Sequence, residues 1–312
     1  MATLWLVGGL IVLVGGGELL VRYASALALK AKMSPLVVGL TVVALGTSAP
    51  ELFASLQAAW LGDGSIAVGN VLGSNVANLG LALGITALVT PIAVSWHTLK
   101  VHWWTMIAAS LCFMWMVQDL VLTPLEGGVL LAGTTSYLGG QFWWSRSEES
   151  PAEIEKEGYA TQSYLKLLGM IALGSVGLYF GAEAFVQGAS DLAIGIGIST
   201  HAVGVTVVAF GTSVPEIAAS LTAAIRGNND LSIGNLVGSN ILNILLVLGA
   251  TASCESLTVD PVVPVGDVWW MLSSAAILAP MVAWGKGMVG RVGGLTYVAI
   301  YVFYIATVIA NC

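Results

Sequence analysis

Residues 44–55 read Ala-Leu-Gly-Thr-Ser-Ala-Pro-Glu-Leu-Phe-Ala-Ser, and residues 209–220 read Ala-Phe-Gly-Thr-Ser-Val-Pro-Glu-Ile-Ala-Ala-Ser. Each is followed at the same distance by a second polar patch, Gly69-Asn-Val-Leu-Gly-Ser-Asn-Val-Ala-Asn78 and Gly234-Asn-Leu-Val-Gly-Ser-Asn-Ile-Leu-Asn243. A constant offset of 165 aligns the copies without a gap from about Glu18/Glu183 to Gly84/Gly249. An internal repeat of this kind decides the architecture before any local feature does.

Around the repeat, the chain of 312 residues is 57% hydrophobic and 9% charged, with a mean hydropathy of +0.91. Soluble domains carry about 25% charged residues, so this composition describes a polytopic membrane protein. The apolar N-terminus lacks a basic leader and a small-residue cleavage site, and reads as a first span and not a removed signal. Three cysteines, Cys112, Cys254 and Cys312, match no metal or disulfide spacing. Five acids fall between Glu148 and Glu157, in a solvated loop.

A span needs about 20 apolar residues. The pattern predicts ten, at 3–22, 34–61, 65–89, 101–118, 125–144, 165–188, 200–225, 230–251, 265–285 and 293–311. The expected fold is an all-α bundle of ten transmembrane helices, with helices 2 and 7 broken. Residues 1–144 form the first five-helix unit around a motif at 39–84. Residues 145–164 form a polar linker, and residues 165–312 form the second unit around 204–249. Trp pairs at 103/104, 143/144 and 269/270 end spans, as interfacial belts do. The histidines His97, His102 and His201 also fall at span ends and read as interfacial.

Orientation follows from the ten basic residues. With the N-terminus outside, Arg22, Lys30, Lys32, Lys100, Arg146, Lys156, Lys166, Arg226, Lys286 and Arg291 all lie in or beside cytoplasmic loops. The positive-inside rule selects that arrangement, in the cytoplasmic (inner) membrane, with both termini outside and the linker inside. Five spans per unit is an odd number, so the second unit enters from the opposite side and the repeats are inverted. Inverted repeats with matched, Gly/Pro-interrupted polar helices point to a secondary transporter with its site at the midplane.

The motif supplies the chemistry. Pro50 has no N–H and its ring opposes the carbonyl of Gly46; Gly46 permits unusual dihedrals. Together they predict a break that leaves carbonyls around Ala44 to Gly46 without helical partners. Thr47, Ser48 and Glu51 add two hydroxyls and a carboxylate, the last costly in a membrane. The second copy repeats the set with Ala209, Gly211, Thr212, Ser213, Pro215 and Glu216. Asn70, Ser74 and Asn78 share one helix face by their i, i+4, i+8 spacing, as do Asn235, Ser239 and Asn243. All are hard oxygen donors, suited to calcium-like or sodium-like ions, whereas zinc or copper calls for His or Cys. Gly69xxxGly73 and Gly234xxxGly238 also read as close-packing motifs. Glu18, with Arg22 one turn on, reads as a local ion pair, and Glu183 faces Gln187. A hydrolase using Ser48 or Ser213 would need a nearby base, which the spacing does not supply.

These motifs resemble the two α-repeats of the sodium/calcium exchanger family, within the cation/calcium exchanger superfamily. The resemblance implies four cation sites among helices 2, 3, 7 and 8, and alternating access by sliding of helices 1 and 6. It implies cation binding by Glu51, Glu216, Thr47, Thr212, Ser48, Ser213, Ser74, Ser239, Asn78 and Asn243, with carbonyls at Ala44 and Ala209. Glu51, Glu216, Thr47 and Thr212 are the expected metal-binding set. Gly46, Pro50, Gly211 and Pro215 are the helix-breaking residues. Some microbial members and the potassium-dependent branch carry Asp where this chain has Asn243, and the proton-coupled branch usually places Glu in the Gly-Asn helix. Neither acid is present, so the resemblance favours Na+ as the ion exchanged for Ca2+, with three Na+ per Ca2+. A proton- or potassium-coupled antiporter and, from another class, a cation channel are the alternatives. The expected partners are these ions and membrane lipid, without a cofactor, an enzymatic reaction, nucleic acid or an obligate protein partner. The linker is too short to hold the calcium-sensing domains of animal relatives.

Overall fold

A computed structural model describes residues 1–144, 162–196 and 211–311. The described residues are helical almost throughout. Helix α1 covers Ala2–Ala31, α2 Pro35–Thr47, α3 Ala49–Trp60 and α4 Gly64–Val89. A two-residue strand β1 (Ile92–Ala93), helix α5 (Trp96–Met116), strand β2 (Val121–Leu122) and helix α6 (Pro124–Trp144) complete the first half. The second half runs α7 (Tyr164–Gly195), α8 (Val214–Ile225), α9 (Asn229–Cys254), β3 (Leu257–Thr258), α10 (Val263–Trp284), β4 (Met288–Val289) and α11 (Arg291–Asn311).

Local chemistry sets the boundaries. Ser34 caps α2 by accepting the Val37 N–H at 3.3 Å, with Pro35 at the first helical position. Ser163 caps α7 in the same way through the Lys166 N–H at 3.2 Å. The α3–α4 and α8–α9 turns pass through Gly62 (φ 86°) and Gly227 (φ 78°), a left-handed conformation that glycine adopts without a Cβ clash.

The 165-residue offset reappears as structure. Helix α3 maps onto α8, α4 onto α9 and β1 onto β3 at that offset. Strands β1 and β4 pair antiparallel, with Ile92 opposite Val289, and β2 and β3 do the same, with Val121 opposite Thr258. Exchanging the halves maps one pair onto the other. Helices α4 and α9 are the central elements, with 78% and 94% of their most apolar windows buried. Around them packs a core that includes Leu72, Leu83, Phe113, Leu236, Leu248 and Tyr297.

The long helices α1 and α7 pack against each other antiparallel. A Cβ on Gly16 would lie 2.8 Å from the Leu178 nitrogen, and one on Gly181 2.7 Å from the Leu13 nitrogen. Small residues at these positions let the two backbones approach, as membrane helix pairs require.

Six of the described helices are long and apolar enough to cross a membrane, or seven if the bent pair α2–α3 is one span. This is fewer than the ten read from the sequence. Helices α5 and α6 have 21 residues each, but Trp, His, Thr and Gly lower their apolar content. Helix α8 has 12 residues, and the first part of the expected span 200–225, including His201, Ala209 and part of the 204–249 motif, lies outside the described residues. So does most of the 145–164 linker. Two interfacial readings also change. His102 is buried, with Nδ1 at 3.3 Å from the Tyr137 hydroxyl and 3.4 Å from Gln141 Nε2. Trp103 donates from its indole to the Ala275 carbonyl at 2.7 Å and so joins α5 to α10.

Candidate functional site

The break in the first motif falls at Ser48 (φ −84°, ψ 1°), between α2 and α3, and turns the axis by 44°. Pro50, the second residue of α3, has no N–H to offer, so the Gly46 carbonyl has no donor four residues on. The Ala44 carbonyl differs from expectation. It accepts the Ser48 N–H at 2.9 Å, with the Thr47 hydroxyl at 3.4 Å. A carbonyl has two lone pairs, so Ala44 keeps capacity for a ligand but is not an orphan of the break. Ser213 occupies the corresponding place before α8 (φ −89°, ψ −1°); its upstream partner Ala209 lies outside the described residues.

Both breaks deliver their carboxylates to the interior. Glu51 and Glu216 are fully buried, as are Thr47, Ser213, Asn78, Ser239 and Asn243, with Ser48 and Ser74 nearly so. Contacts of Thr47 with Asn235 and Ser239, and of Ser74 with Thr212, bring the two motifs together. None of the four carboxylate oxygens hydrogen-bonds another described residue. Thr47 and Ser48 approach the Glu216 carboxylate from the other half without forming a full hydrogen bond. The hydroxyls of Ser48 and Ser213 and the side-chain amides of Asn78 and Asn243 are likewise buried without a partner among the described residues.

Native proteins rarely leave so many buried polar atoms unpaired, and each such group asks for an explanation. Here they converge on one locus at the centre of the fold. Asn78 and Asn243 each open a short π-helical segment, Asn78–Leu83 and Asn243–Leu248; such segments recur at functional sites. The donor set is two carboxylates with neutral hydroxyl and amide oxygens. Among the described residues no group of three or more His, Cys, Asp or Glu side chains gathers as a metal site. An ion held here would therefore rely on oxygens, which suits a hard cation.

The two halves are not in equivalent surroundings. Thr47 is buried, with its hydroxyl 3.1 Å from Asn235 Oδ1 and 3.3 Å from the Ser239 hydroxyl. Thr212 is half-buried, and among the described residues its hydroxyl meets the Ser74 hydroxyl, at 3.4 Å. A cavity of about 280 Å³ reaches Thr212 and Pro215 between α3 and α7, with Gln57 and Glu183 on its wall. On the repeat-related side α1 packs against α8, where a Cβ on Gly17 would meet the Thr222 hydroxyl at 3.0 Å.

Glu18 is held by Arg226, 208 residues away, through the guanidinium Nε and Nη2. This partner comes from the other half, which the spacing to Arg22 could not reveal. Gln187 donates to Asp191 at 2.9 Å, not to Glu183. The side chains of Arg226 and Glu18 are 40% and 39% exposed, so the pair contributes modestly, about 0.5 kcal/mol. A double-mutant cycle on thermal unfolding with Glu18→Gln and Arg226→Gln is expected to give a coupling of that size. A coupling of zero would mean the pair adds nothing to stability.

Sequence and structure comparisons agree on kinship. Residues 1–143 and 166–310 match the family described as “Sodium/calcium exchanger protein”. CaxA of Alkalimonas amylolytica is 35% identical, with 97% of each chain covered. The sodium/calcium exchanger MaX1 of Methanosarcina acetivorans is 30% identical over 80% of this chain and 82% of its own. A solved structure of the sodium-calcium exchanger NCX_Mj, soaked with 2.5 mM Na+ and 1 mM Sr2+, matches with a TM-score of 0.82 at 30% identity. The match covers 98% of this chain and 97% of that one.

Proposed function

Because this chain belongs to the sodium/calcium exchanger family, a family of transporters and not enzymes, we propose that it exchanges Na+ for Ca2+ across the membrane by alternating access. One observation carries the reading: two fully buried, repeat-related carboxylates, Glu51 and Glu216, face a shared locus of unpaired oxygens.

The proposed architecture is ten transmembrane helices in two inverted five-helix repeats, residues 1–144 and 165–312, joined by a cytoplasmic linker at 145–164. The matched element order and the exchanged strand pairs support the repeat. The distribution of Lys and Arg supports the inversion and an orientation with both termini outside. In that orientation the cavity beside Thr212 opens outward, and the packing of α1 on α8 closes the inner side.

Glu51 and Glu216 supply the charge of the ion cage, and Thr47, Thr212, Ser48, Ser213, Ser74, Ser239, Asn78, Asn243 and the carbonyls of Ala44 and Ala209 complete it. No basic side chain is part of the set, so a charge of −2 matches one Ca2+ or several Na+ in turn. An empty −2 cage is costly to carry through the membrane, which couples the two fluxes. Exchange of three Na+ for one Ca2+ moves one net charge per cycle. The membrane potential then contributes about 2.3 kcal/mol per 100 mV.

Radiolabelled calcium uptake into sodium-loaded proteoliposomes, diluted into sodium-free buffer, tests the function. Uptake is expected only with internal sodium and is expected to accelerate under an inside-positive potential. Uptake driven by a proton gradient alone would move the protein to the proton-coupled branch. Uptake with no counter-gradient would make it a channel.

A further inference from the structure

Two asparagines outside the proposed ion-ligand set, Asn70 and Asn235, occupy repeat-related positions one turn before Ser74 and Ser239. Asn235 is buried, and its Nδ2 donates to the Ser220 hydroxyl at 2.9 Å. Ser220 lies one turn after Glu216 on the same helix and is also fully buried. This bond fixes the amide so that Oδ1 faces Thr47 of the other half, which donates to it at 3.1 Å.

The chemical consequence falls on Thr47. A hydroxyl has one proton and two lone pairs. A hydroxyl that ligates a cation must turn a lone pair to it and place its proton elsewhere. Asn235 Oδ1 receives that proton; the Ala44 carbonyl, at 3.4 Å, is the longer alternative. The asparagine thus leaves Thr47 facing the site as an acceptor.

The mate differs in two contacts. Asn70 Nδ2 donates to the Ser55 hydroxyl at 3.0 Å and to the Glu51 carbonyl at 3.3 Å, so its amide is fixed in the same way. Its bond to Thr212, however, is not made among the described residues, although both side chains are half-buried and Thr212 lines the cavity. One cross-repeat bridge is closed and its twin is open.

We propose that Asn235 and Asn70 are positioning residues that alternate: the Asn235–Thr47 bridge is made in this conformation, and the Asn70–Thr212 bridge replaces it when the opposite side closes. The proposal rests on the exchange cycle above and adds to it which residue sets each threonine, and when. It distinguishes itself from a structural role because the two asparagines must act with opposite sign.

The test uses the full-length protein with its three cysteines replaced by serine and a single reporter, Gln57→Cys, on the cavity wall. Labelling by a membrane-impermeant thiol reagent reads how often the cavity is open. Loss of one buried hydrogen bond shifts a two-state population about fivefold. Asn235→Leu is therefore expected to slow labelling about fivefold, and Asn70→Leu to quicken it toward its ceiling. In oriented vesicles the same two variants are expected to shift the calcium KM on opposite faces. Gel filtration identifies folded protein. Shifts of the same sign, or unchanged labelling in folded variants, would overturn the proposal. Labelling does not depend on which ions are carried, so opposite shifts with no sodium-driven uptake in the parent protein would leave the bridges standing and remove the exchange reading.

Discussion

Glu51→Gln and Glu216→Gln are each expected to lower sodium-driven calcium uptake by at least about 100-fold while leaving the protein folded. Each substitution keeps the shape of the side chain but removes one anionic oxygen and half of the charge of the cage. A divalent ion then faces a net −1 inside a fully buried locus, where no neighbour can make up the difference: the four carboxylate oxygens have no hydrogen-bond partner among the described residues. Charged groups withdrawn from water are costly unless paired, so the native carboxylates destabilise the ion-free protein. The glutamine variants should melt at the same temperature as the parent or higher in ion-free buffer. Calcium should reverse the order. A ligand at 100 times its Kd stabilises the folded state by about 2.7 kcal/mol, a shift expected in the parent and absent from both variants. Retained uptake in both variants would remove Glu51 and Glu216 from the site, and a lowered melting temperature without ions would assign them a structural role instead.

The residues of that locus were legible because they occur twice. Pro50 and Glu51 alone describe a kinked helix with a buried acid; their recurrence as Pro215 and Glu216, each backed by a Gly-Ser-Asn patch, ties them to one shared purpose. The polar face of α4 and α9 could also be read, since a spacing of four residues places side chains on one side of a helix. Contacts between helices could not. Periodicity along α1 offers Arg22 to Glu18, whereas Arg226 arrives from a turn 208 residues on. Likewise His102 at a span end looks interfacial until α6 brings Tyr137 and Gln141 over it. Asn235 was visible as part of a stripe, but its bond to Thr47 depends on how tightly α2 and α9 approach. Helix count was the weakest reading, because α5 and α6 mix apolar residues with Trp, His, Thr and Gly.

That approach of α2 to α9 yields the second large effect. Gly238→Ala is expected to reduce uptake about 10- to 100-fold and to destabilise the protein by about 1–3 kcal/mol, the cost of overpacking a filled interior. A Cβ at residue 238 would lie 2.6 Å from the Leu40 Cα and 2.7 Å from its carbonyl oxygen. Both are backbone atoms, so no side chain can rotate aside, and the helices must separate. The same seam brings a Cβ at Gly39 to 2.6 Å from the Leu231 carbonyl and one at Gly234 to 2.6 Å from that of Leu36, so the strain cannot be relieved by a small slide along it. Separation draws Thr47 away from Asn235 and Ser239, now at 3.1 and 3.3 Å, and with it the break that carries Glu51. Gly15→Ala is the control. Its methyl meets nothing within 4 Å among the described residues, and alanine is favoured over glycine inside a helix by about 1 kcal/mol. The control should keep full uptake and melt no lower than the parent. If Gly238→Ala kept full uptake as well, the α2–α9 seam would not be what sets the distance between the two halves of the site, and the assembly of the ion cage would have to depend on other contacts.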